Sequence, residues 1–507
     1  MTRDLGSLLA ELESAGVRLW ARDGAVHYDG PSTALPTGVL DELRAQRPEL
    51  LRRLTVSALG VTVVPAGAEH LRMWRSMRTV SRPEVWINSF SAHTGARIDV
   101  DVLRAAMDDV VARHESLRAG FAEGEDGGLG MSVHPSASAR VEILDADPAE
   151  LSNARGIQAR CLRFAGEPLD LTRPPLLRLG VLRHERDGRA DDVLALAFHH
   201  LIADGVTLEI LGDELGARYR ARLKGEPGEL PPAQPYSGFL EQERRWIETE
   251  LDEAVESRAA RLGTACAVLT FPEDPDADPE STDNVSFLTL DDADSALFTE
   301  AVRRARLSEF AVMLAALNVL MTEVTGASDY VLAVSAACRV PEFAETVGLV
   351  RRHVPVRLRA LAGDSWADLA RRALDDLGEA MAYPLLSLEA LRERWAPGGA
   401  ADFPQLVVTH LPEMRLGVDL GDGLVLWEEC PLPGARAGIG MIMRKDAGRV
   451  SGGFEIAGAL ASARTRQRWL DRYGALLVEA ARDLDAPLPP HPRAAGPAPL
   501  STAGGTR

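Results

Sequence analysis

LALAFHHLIADGVTLEILGDEL, residues 194–215, is the stretch whose reading decides the fold. An apolar run ends at Phe198, two adjacent histidines follow, and Asp204-Gly205 turns the chain into a helical segment beginning near Val206. A short run that is apolar at every position reads as a strand buried on both faces, so the order is strand, turn, helix. Neighbouring strand residues point to opposite faces. His199 and His200 therefore cannot both face one substrate or ligate one metal, so one is structural and the other is presented at the strand end. Asp204 stands where it can cap the helix or pair with a cation, and Gly205 lets the chain turn tightly. A neutral imidazole, with an ordinary pKa near ~6.5, accepts a proton at cellular pH. That suits general-base work on an attacking amine or hydroxyl.

Working outward, YVLAVSA (330–336) and QLVVTHL (405–411) repeat the doubly buried strand pattern. Val100 to Glu115 and Leu307 to Thr325 carry helical periodicity, and Pro/Asp-rich stretches at 226–236 and 272–284 mark loops. The body is thus mixed α and β. Residues 1–55 read as a separate module: leucines 5, 8, 9 and 12 at helical spacing, a stop at Gly16, a hairpin turning at Asp23-Gly24, and a helical stretch from Pro36 to Leu54 with Pro48 opening its last helix. Residues 56–67 are expected to be a linker, and the Pro/Gly/Ala-rich residues 487–507 a disordered tail.

The composition is that of a soluble globular chain: 507 residues, 46% hydrophobic and 26% charged. A net charge of −19 argues against a nucleic-acid binder. There is no apolar run of membrane-spanning length and no secretory leader, so no membrane partner is expected. Four scattered cysteines without a CxxC pair predict neither disulfides nor a metal site, which fits a reducing cytoplasm. P-loop, GxSxG and dinucleotide fingerprints are missing as well. The stretch LAGDSW (361–366) superficially imitates a carrier attachment loop, but Asp364 or Ser365 is expected to cap the following helix.

HHLIADG (199–205) resembles the HHxxxDG signature of the condensation-domain superfamily of nonribosomal peptide synthetases. RHESLRAGF (113–121), HLRMW (70–74), SGFLEQERRW (237–246), GASDYVLAVSAACRVPEFAETVGL (326–349) and GRVSGGFEIAGALASARTRQRWLDRYGALL (448–477) resemble further family segments, in the family's order. The resemblance implies an α+β body of two chloramphenicol-acetyltransferase-like lobes in a V-shaped pseudo-dimer, here 68–230 and 231–486. It implies His200 as the catalytic histidine and Gly205 against the reacting acyl group, its backbone available to the thioester or oxyanion. It makes His199, Asp204 and Arg339 structural, the last two as an ion pair. Residues 1–55 are similar to TubC-type docking domains, a small α/β-hairpin fold whose hairpin, here Arg18, Trp20, Arg22 and His27, would capture an upstream carrier protein or its C-terminal tail.

The chain departs from the family pattern in VGLVRRHVPVRL (347–358), where Arg352 and His353 replace Asn-Thr, and at His70, which replaces a Gln. On a strand Arg351 and His353 share one face and Arg352 takes the other. One of these faces is expected to line the acceptor channel and to recognise a carboxylate on a small free acceptor. The resemblance thus implies a free-standing acyltransferase with no bound cofactor. It would move an acyl chain from a carrier's phosphopantetheine thioester to an amine or hydroxyl, on a second carrier or a free small molecule, as chain release or extension in antibiotic-type natural-product biosynthesis. The alternatives are an epimerisation domain, which shares HHxxxDG but usually follows its carrier in the same chain, and a non-catalytic recruitment module.

Overall fold

All seven residues of the strand Val193–His199 are buried. It runs inside a five-stranded sheet, hydrogen-bonded to Ile87–His93 on one side and Leu177–Leu182 on the other, both antiparallel. Arg140–Leu144 extends the sheet in parallel beyond Leu177–Leu182. Helix Ala154–Ala165 covers one face, while Val100–Arg113 and Gly205–Lys224 pack on each other across the other core. Helices on both sides explain why the strand is apolar at every position rather than alternating. A computed structural model describes residues 5, 8, 9, 12, 17–22, 25–29, 38–47, 50 and 60–489, the last range without 81, 125–126, 264–267, 282, 396–404, 412–415, 437 and 447.

The second lobe is a six-stranded sheet in the order Val285–Thr289, Arg449–Ile456, Ile439–Asp446, Leu406–Leu411, Asp329–Ala336, Arg352–Arg359. Its central helix, Glu309–Thr325, is buried on every side from Phe310 to Thr322, as an all-round apolar helix must be. The Ser308 hydroxyl caps its first turn by accepting from the Ala311 N–H at 3.1 Å, and Gly326 ends it at φ 76°. Among the described residues no single helix is long and apolar enough to cross a membrane. The body is α+β, as expected.

The lobes are not divided cleanly at 230. The hairpin of Gly417–Asp419 with Leu424–Leu426 leaves the second lobe to lie on helix Gly205–Lys224, and Glu428–Glu429 adds a strand beside Ile87–His93. Val418, Leu420 and Trp427 consequently belong to the first-lobe core. Two terminal expectations also change. Thr62–Pro65, placed in the linker, is an edge strand on Leu129–Val133, because three β-branched residues favour extension and an edge tolerates Pro65. Pro487 bridges to Ser365 and the Leu488 N–H reaches the Asp364 carbonyl at 2.8 Å, so the start of the expected tail is ordered on the second lobe. Residues 490–507 lie outside the described residues.

In the N-terminal module Leu5, Leu8, Leu12, Val17, Val39, Leu43 and Leu50 form their own core, with Leu19 and Val26 of the hairpin packed on it. The hairpin pairs Arg18–Arg22 with Ala25–Asp29 and sets Trp20 opposite the exposed His27. The side chains of Arg18, Trp20 and Arg22, and the expected signals at Gly16, Asp23-Gly24 and Pro48, lie outside the described residues. Ser365 does cap helix Trp366–Met381, accepting from the Asp368 N–H at 3.2 Å, while Asp364 pairs with Arg372 at 2.7 Å.

The contact between helix Gly205–Lys224 and the returning hairpin gives a sign test. Replacing a helical glycine by alanine favours the helix by about 1 kcal/mol. A Cβ on Gly212 would lie 1.9 Å from the Gly417 carbonyl oxygen, whereas one on Gly378 meets nothing within 4 Å. Overpacking against backbone costs about 1–3 kcal/mol and reverses the propensity gain. Gly212→Ala is expected to lower Tm and Gly378→Ala to hold or raise it. Equal shifts in calorimetry would contradict this packing.

Candidate active site

The period of the strand decides which histidine is presented. Val193, Ala195 and Ala197 join the clusters beneath helix Ala154–Ala165, while Leu194, Leu196 and Phe198 join the main first-lobe core. His199 continues the first set. Its Nδ1 accepts from the Leu201 N–H at 3.1 Å, and burial followed by the charge of Arg436 brings its pKa to about 3. His200 continues the second set and lines a cavity of about 320 Å³ walled by both lobes: Trp86 and Phe198 on one side, Ser335, Arg351 and Met441 on the other.

The His200 Nδ1 lies 2.6 Å from the Ala203 carbonyl oxygen. A carbonyl only accepts, so Nδ1 carries the hydrogen, and a neutral ring then presents a lone pair at Nε2. Nε2 has no hydrogen-bond partner among the described residues. Burial first, then the charges of Arg351 and Arg436, hold the His200 pKa well below its ordinary value, so the ring is neutral at cellular pH. The tight turn that fixes the ring is itself pinned: the His70 Nε2–H donates to the Leu201 carbonyl at 3.0 Å, and its Nδ1 accepts from the Gly67 N–H at 3.1 Å. The substitution at His70 thus holds the motif loop.

Asp204 accepts four hydrogen bonds. Oδ1 takes the Thr207 N–H at 2.9 Å and Arg339 Nη2 at 2.8 Å; Oδ2 takes the Val350 and Arg351 N–H groups at 3.1 and 3.2 Å. It therefore caps the helix and pairs with the cation at once. Arg339 Nη1 donates onward to the Thr346 carbonyl at 2.6 Å. Beside this, Thr207 Oγ1 donates to the Gly348 carbonyl at 3.0 Å and the Tyr236 hydroxyl to the Leu349 carbonyl at 2.9 Å, stitching residues 346–351 into the first lobe. Gly205, the first residue of the helix, borders the cavity, and a Cβ there would meet nothing within 4 Å.

Of the three residues expected in the acceptor channel, Arg351 and His353 line the cavity and Arg352 does not. Strand alternation sends Arg352 to the opposite face, where it is 1% exposed, ion-paired with Glu243 and set 5.3 Å over the Phe239 ring. The assignment of Arg352 to the channel is therefore corrected. Arg351 Nη1 donates to Ser335 Oγ and to His353 Nε2, both at 3.0 Å, which leaves the His353 Nδ1–H to face Glu69 Oε1 at 3.4 Å. Glu69 also receives Arg72 Nε at 2.9 Å. Burial alone would raise the Glu69 carboxyl, but Arg72 and His353 outweigh it and hold the group well below the carboxylate range. Sequence reasoning missed Arg436, whose Nε and Nη2 donate to the Val85 carbonyl at 2.7 Å and Asn88 Oδ1 at 3.0 Å. It sits in an irregular Pro/Gly loop and carries no periodic signal. Arg72 was visible inside HLRMW, but nothing there marked it as facing a cavity. No group of metal ligands occurs among the described residues.

A family model described as Condensation domain matches residues 69–409, and one described as TubC N-terminal docking domain matches residues 6–55. A linear gramicidin synthase polypeptide of Brevibacillus parabrevis is 26% identical over 82% of this chain, which spans 8% of that protein. Phosphinothricin tripeptide synthetase PhsC of Streptomyces viridochromogenes is 27% identical over 71% of this chain, which spans 33% of it. In fold, the condensation domain of the monacolin K polyketide synthase MokA matches with a TM-score of 0.72 at 18% identity, covering 84% of this chain and 99% of that one. The X-domain from teicoplanin biosynthesis matches at 0.70 and 21% identity, covering 83% and 96%.

Two outcomes follow from the buried charges. His70, His199 and His353 have pKa values of about 4, 3 and 3, all lowered chiefly by burial. Unfolded, each takes a proton near ~6.5; folded, none does until well below that, so their stabilisation is complete above ~6.5 and lost as pH falls toward ~4. Tm is expected to be level above about pH 7 and to fall steadily below about 6.5; a Tm unchanged down to about 4.5 would contradict the burial of these rings. Arg352→Ala is expected to destabilise the fold by about 3–5 kcal/mol in denaturant unfolding, because it strands the Glu243 charge.

Proposed function

This chain belongs to the condensation-domain family, and from that premise we propose that it is an acyltransferase joining a thioester-borne acyl chain to an amine or hydroxyl acceptor, with His200 as the base. The observation that carries this reading is a neutral, buried imidazole that lines a cavity walled by both lobes and whose Nε2 has no hydrogen-bond partner among the described residues. The donor would arrive on the phosphopantetheine of an upstream carrier protein held through the N-terminal module. The acceptor would enter from the other side.

The nucleophile attacks the thioester carbon and its proton passes to His200 Nε2. The tetrahedral adduct then collapses with cleavage of the C–S bond, and the proton leaves with the thiol. No covalent acyl-enzyme is required. An imidazole well below its usual pKa is a weak base, so it serves best where attack itself makes the proton acidic, as on an amine. Much of the rate would come from holding donor and acceptor in line, since the entropy of their encounter is lost at binding. The N-terminus of helix Gly205–Lys224, open at Gly205, offers backbone N–H groups to the developing oxyanion. The walls formed by Phe90, Phe198, Leu208, Leu411 and Met441 suit an apolar acyl chain. Action as a separate protein at chain release belongs to the same proposal.

The test follows intact mass after mixing the protein with octanoyl-pantetheine and small amines or alcohols. Acyl transfer is expected, with a loss of at least about 10²-fold in His200→Ala, the usual size of a general-base contribution. Exchange of the donor α-hydrogen with deuterium but no transfer would mark an epimerase, and binding alone a recruitment module. Gly205→Ala should keep Tm, because its Cβ points into open space, but lower kcat/KM by filling the acyl passage; an unchanged kcat/KM would place the acyl group elsewhere.

A further inference from the structure

Among the described residues, Arg351 and Arg436 border the cavity with no carboxylate at ion-pair distance from their guanidinium groups, the charges of Glu69 and Asp204 reaching Arg351 only from farther off. Arg351 and Arg436 each lie close enough to His200 to bear on its charge, and neither forms an ion pair among the described residues. Arg351 spends Nη1 on Ser335 and His353, both neutral, and its Nη2 makes no hydrogen bond among the described residues. Arg436 uses Nε and Nη2 on a backbone carbonyl and an amide oxygen. Three carboxylates also border the cavity, Asp204, Glu429 and Glu455; Asp204 is paired with Arg339, and Glu455 accepts from the Arg436 backbone N–H rather than from its guanidinium. Nearby cations of the same protein are treated differently: Arg72 has Glu69, Arg339 has Asp204, Arg352 has Glu243 and Lys445 has Glu309. Partly buried charge without a partner is costly, so its survival at one place points to a partner that arrives.

A wall with unpaired positive charge selects a ligand with negative charge.

We propose that the acceptor is a free small molecule bearing a carboxylate, which seats on Arg351 while its amine or hydroxyl faces His200, with Arg436 supplying the second unpaired charge. The proposal rests on the acyl-transfer reading. The anion belongs to the acceptor rather than the donor, because a phosphopantetheine phosphate lies at the far end of the arm from its thioester, and Arg351 lies beside the base. The Arg351 N–H is bonded to Asp204, the residue that shapes the turn after His200. The carboxylate must also be free. An amino or hydroxy acid with a single carboxyl has consumed it when carried as a thioester, so for such an acceptor a charged carboxylate at this position marks an untethered acid.

Binding such an acid would also change the base. Arg351 and Arg436 follow burial as causes that depress the His200 pKa, and a carboxylate placed between them offsets their charge. The acceptor would therefore raise the basicity of the imidazole that activates it, which a neutral acceptor cannot do.

The experiment uses the full chain and three matched probes: 3-aminobenzoate, 3-aminobenzamide, and 3-aminobenzoyl-pantetheine as the mimic of a carrier-borne acceptor. Calorimetric titration is expected to show the acid binding at least about tenfold tighter than the amide or the thioester. Arg351→Gln, checked for unchanged Tm, should abolish that preference and Arg436→Gln should reduce it. His200→Ala should keep it while losing transfer, which separates failure of this proposal from failure of the acyl-transfer reading. With octanoyl-pantetheine as donor, the acidic limb of the rate profile should lie at higher pH for the acid than for the amide, and Arg351→Gln should remove the difference. Equal binding of acid and amide, tighter binding of the thioester, a preference that survives Arg351→Gln, or no saturable binding of the acid at millimolar concentration would each overturn the proposal.

Discussion

One carboxylate holds the two lobes in register. Asp204 has four acceptor positions, and all four are filled: one by the helix it starts, one by Arg339, and two by backbone N–H groups of the strand entry at Val350 and Arg351. The first contact fixes where helix Gly205–Lys224 begins and so where Gly205 faces the cavity. The last pair fixes where Arg351 leaves the second lobe. His200, the helix terminus and Arg351 therefore share a frame built on a single side chain. A buried pair of this kind adds little net stability against an apolar replacement, but losing one partner strands the other, so it acts chiefly as a specifier of geometry.

Around that frame, charge is distributed unevenly. The buried histidines are kept neutral by desolvation, which makes each a directional hydrogen-bonding group: His70 pins the Leu201 carbonyl, His199 receives the Leu201 N–H, and His353 relays between Arg351 and Glu69. The arginines that brace the lobes are paired, whereas Arg351 and Arg436, which border the cavity beside His200, form no ion pair among the described residues. Oriented dipoles and fixed charges of this sort need not reorganise when charge develops on a substrate, which is where such sites draw their catalytic effect.

The return of residues 417–430 to the first lobe closes the arrangement. Trp427 joins the first-lobe core and also borders the cavity, while the Cys430 N–H bonds the Ser89 carbonyl at 2.9 Å on the strand beside the motif. The second lobe thus contributes to the core of the first. The cavity between them is a product of two folded sheets rather than a crevice in either.

The sequence by itself determined the strand, turn and helix around 194–215, the α+β class, the family, and the parity argument by which only one of His199 and His200 can face a substrate. These are local properties: period two, doubly apolar runs, capping residues and a spaced motif survive in one dimension. Parity likewise separated Arg352 from Arg351 and His353, yet it could not say which side was the cavity. That depended on Glu243 and Phe239, over a hundred residues away in the chain. Only tertiary structure decided that Arg436, from a loop with no pattern of its own, stands beside His200, that His70 holds the motif turn, and that Thr62–Pro65 is a strand rather than a linker. In each case the deciding energy comes from burial and pairing with a distant partner, a quantity that no local window of residues contains.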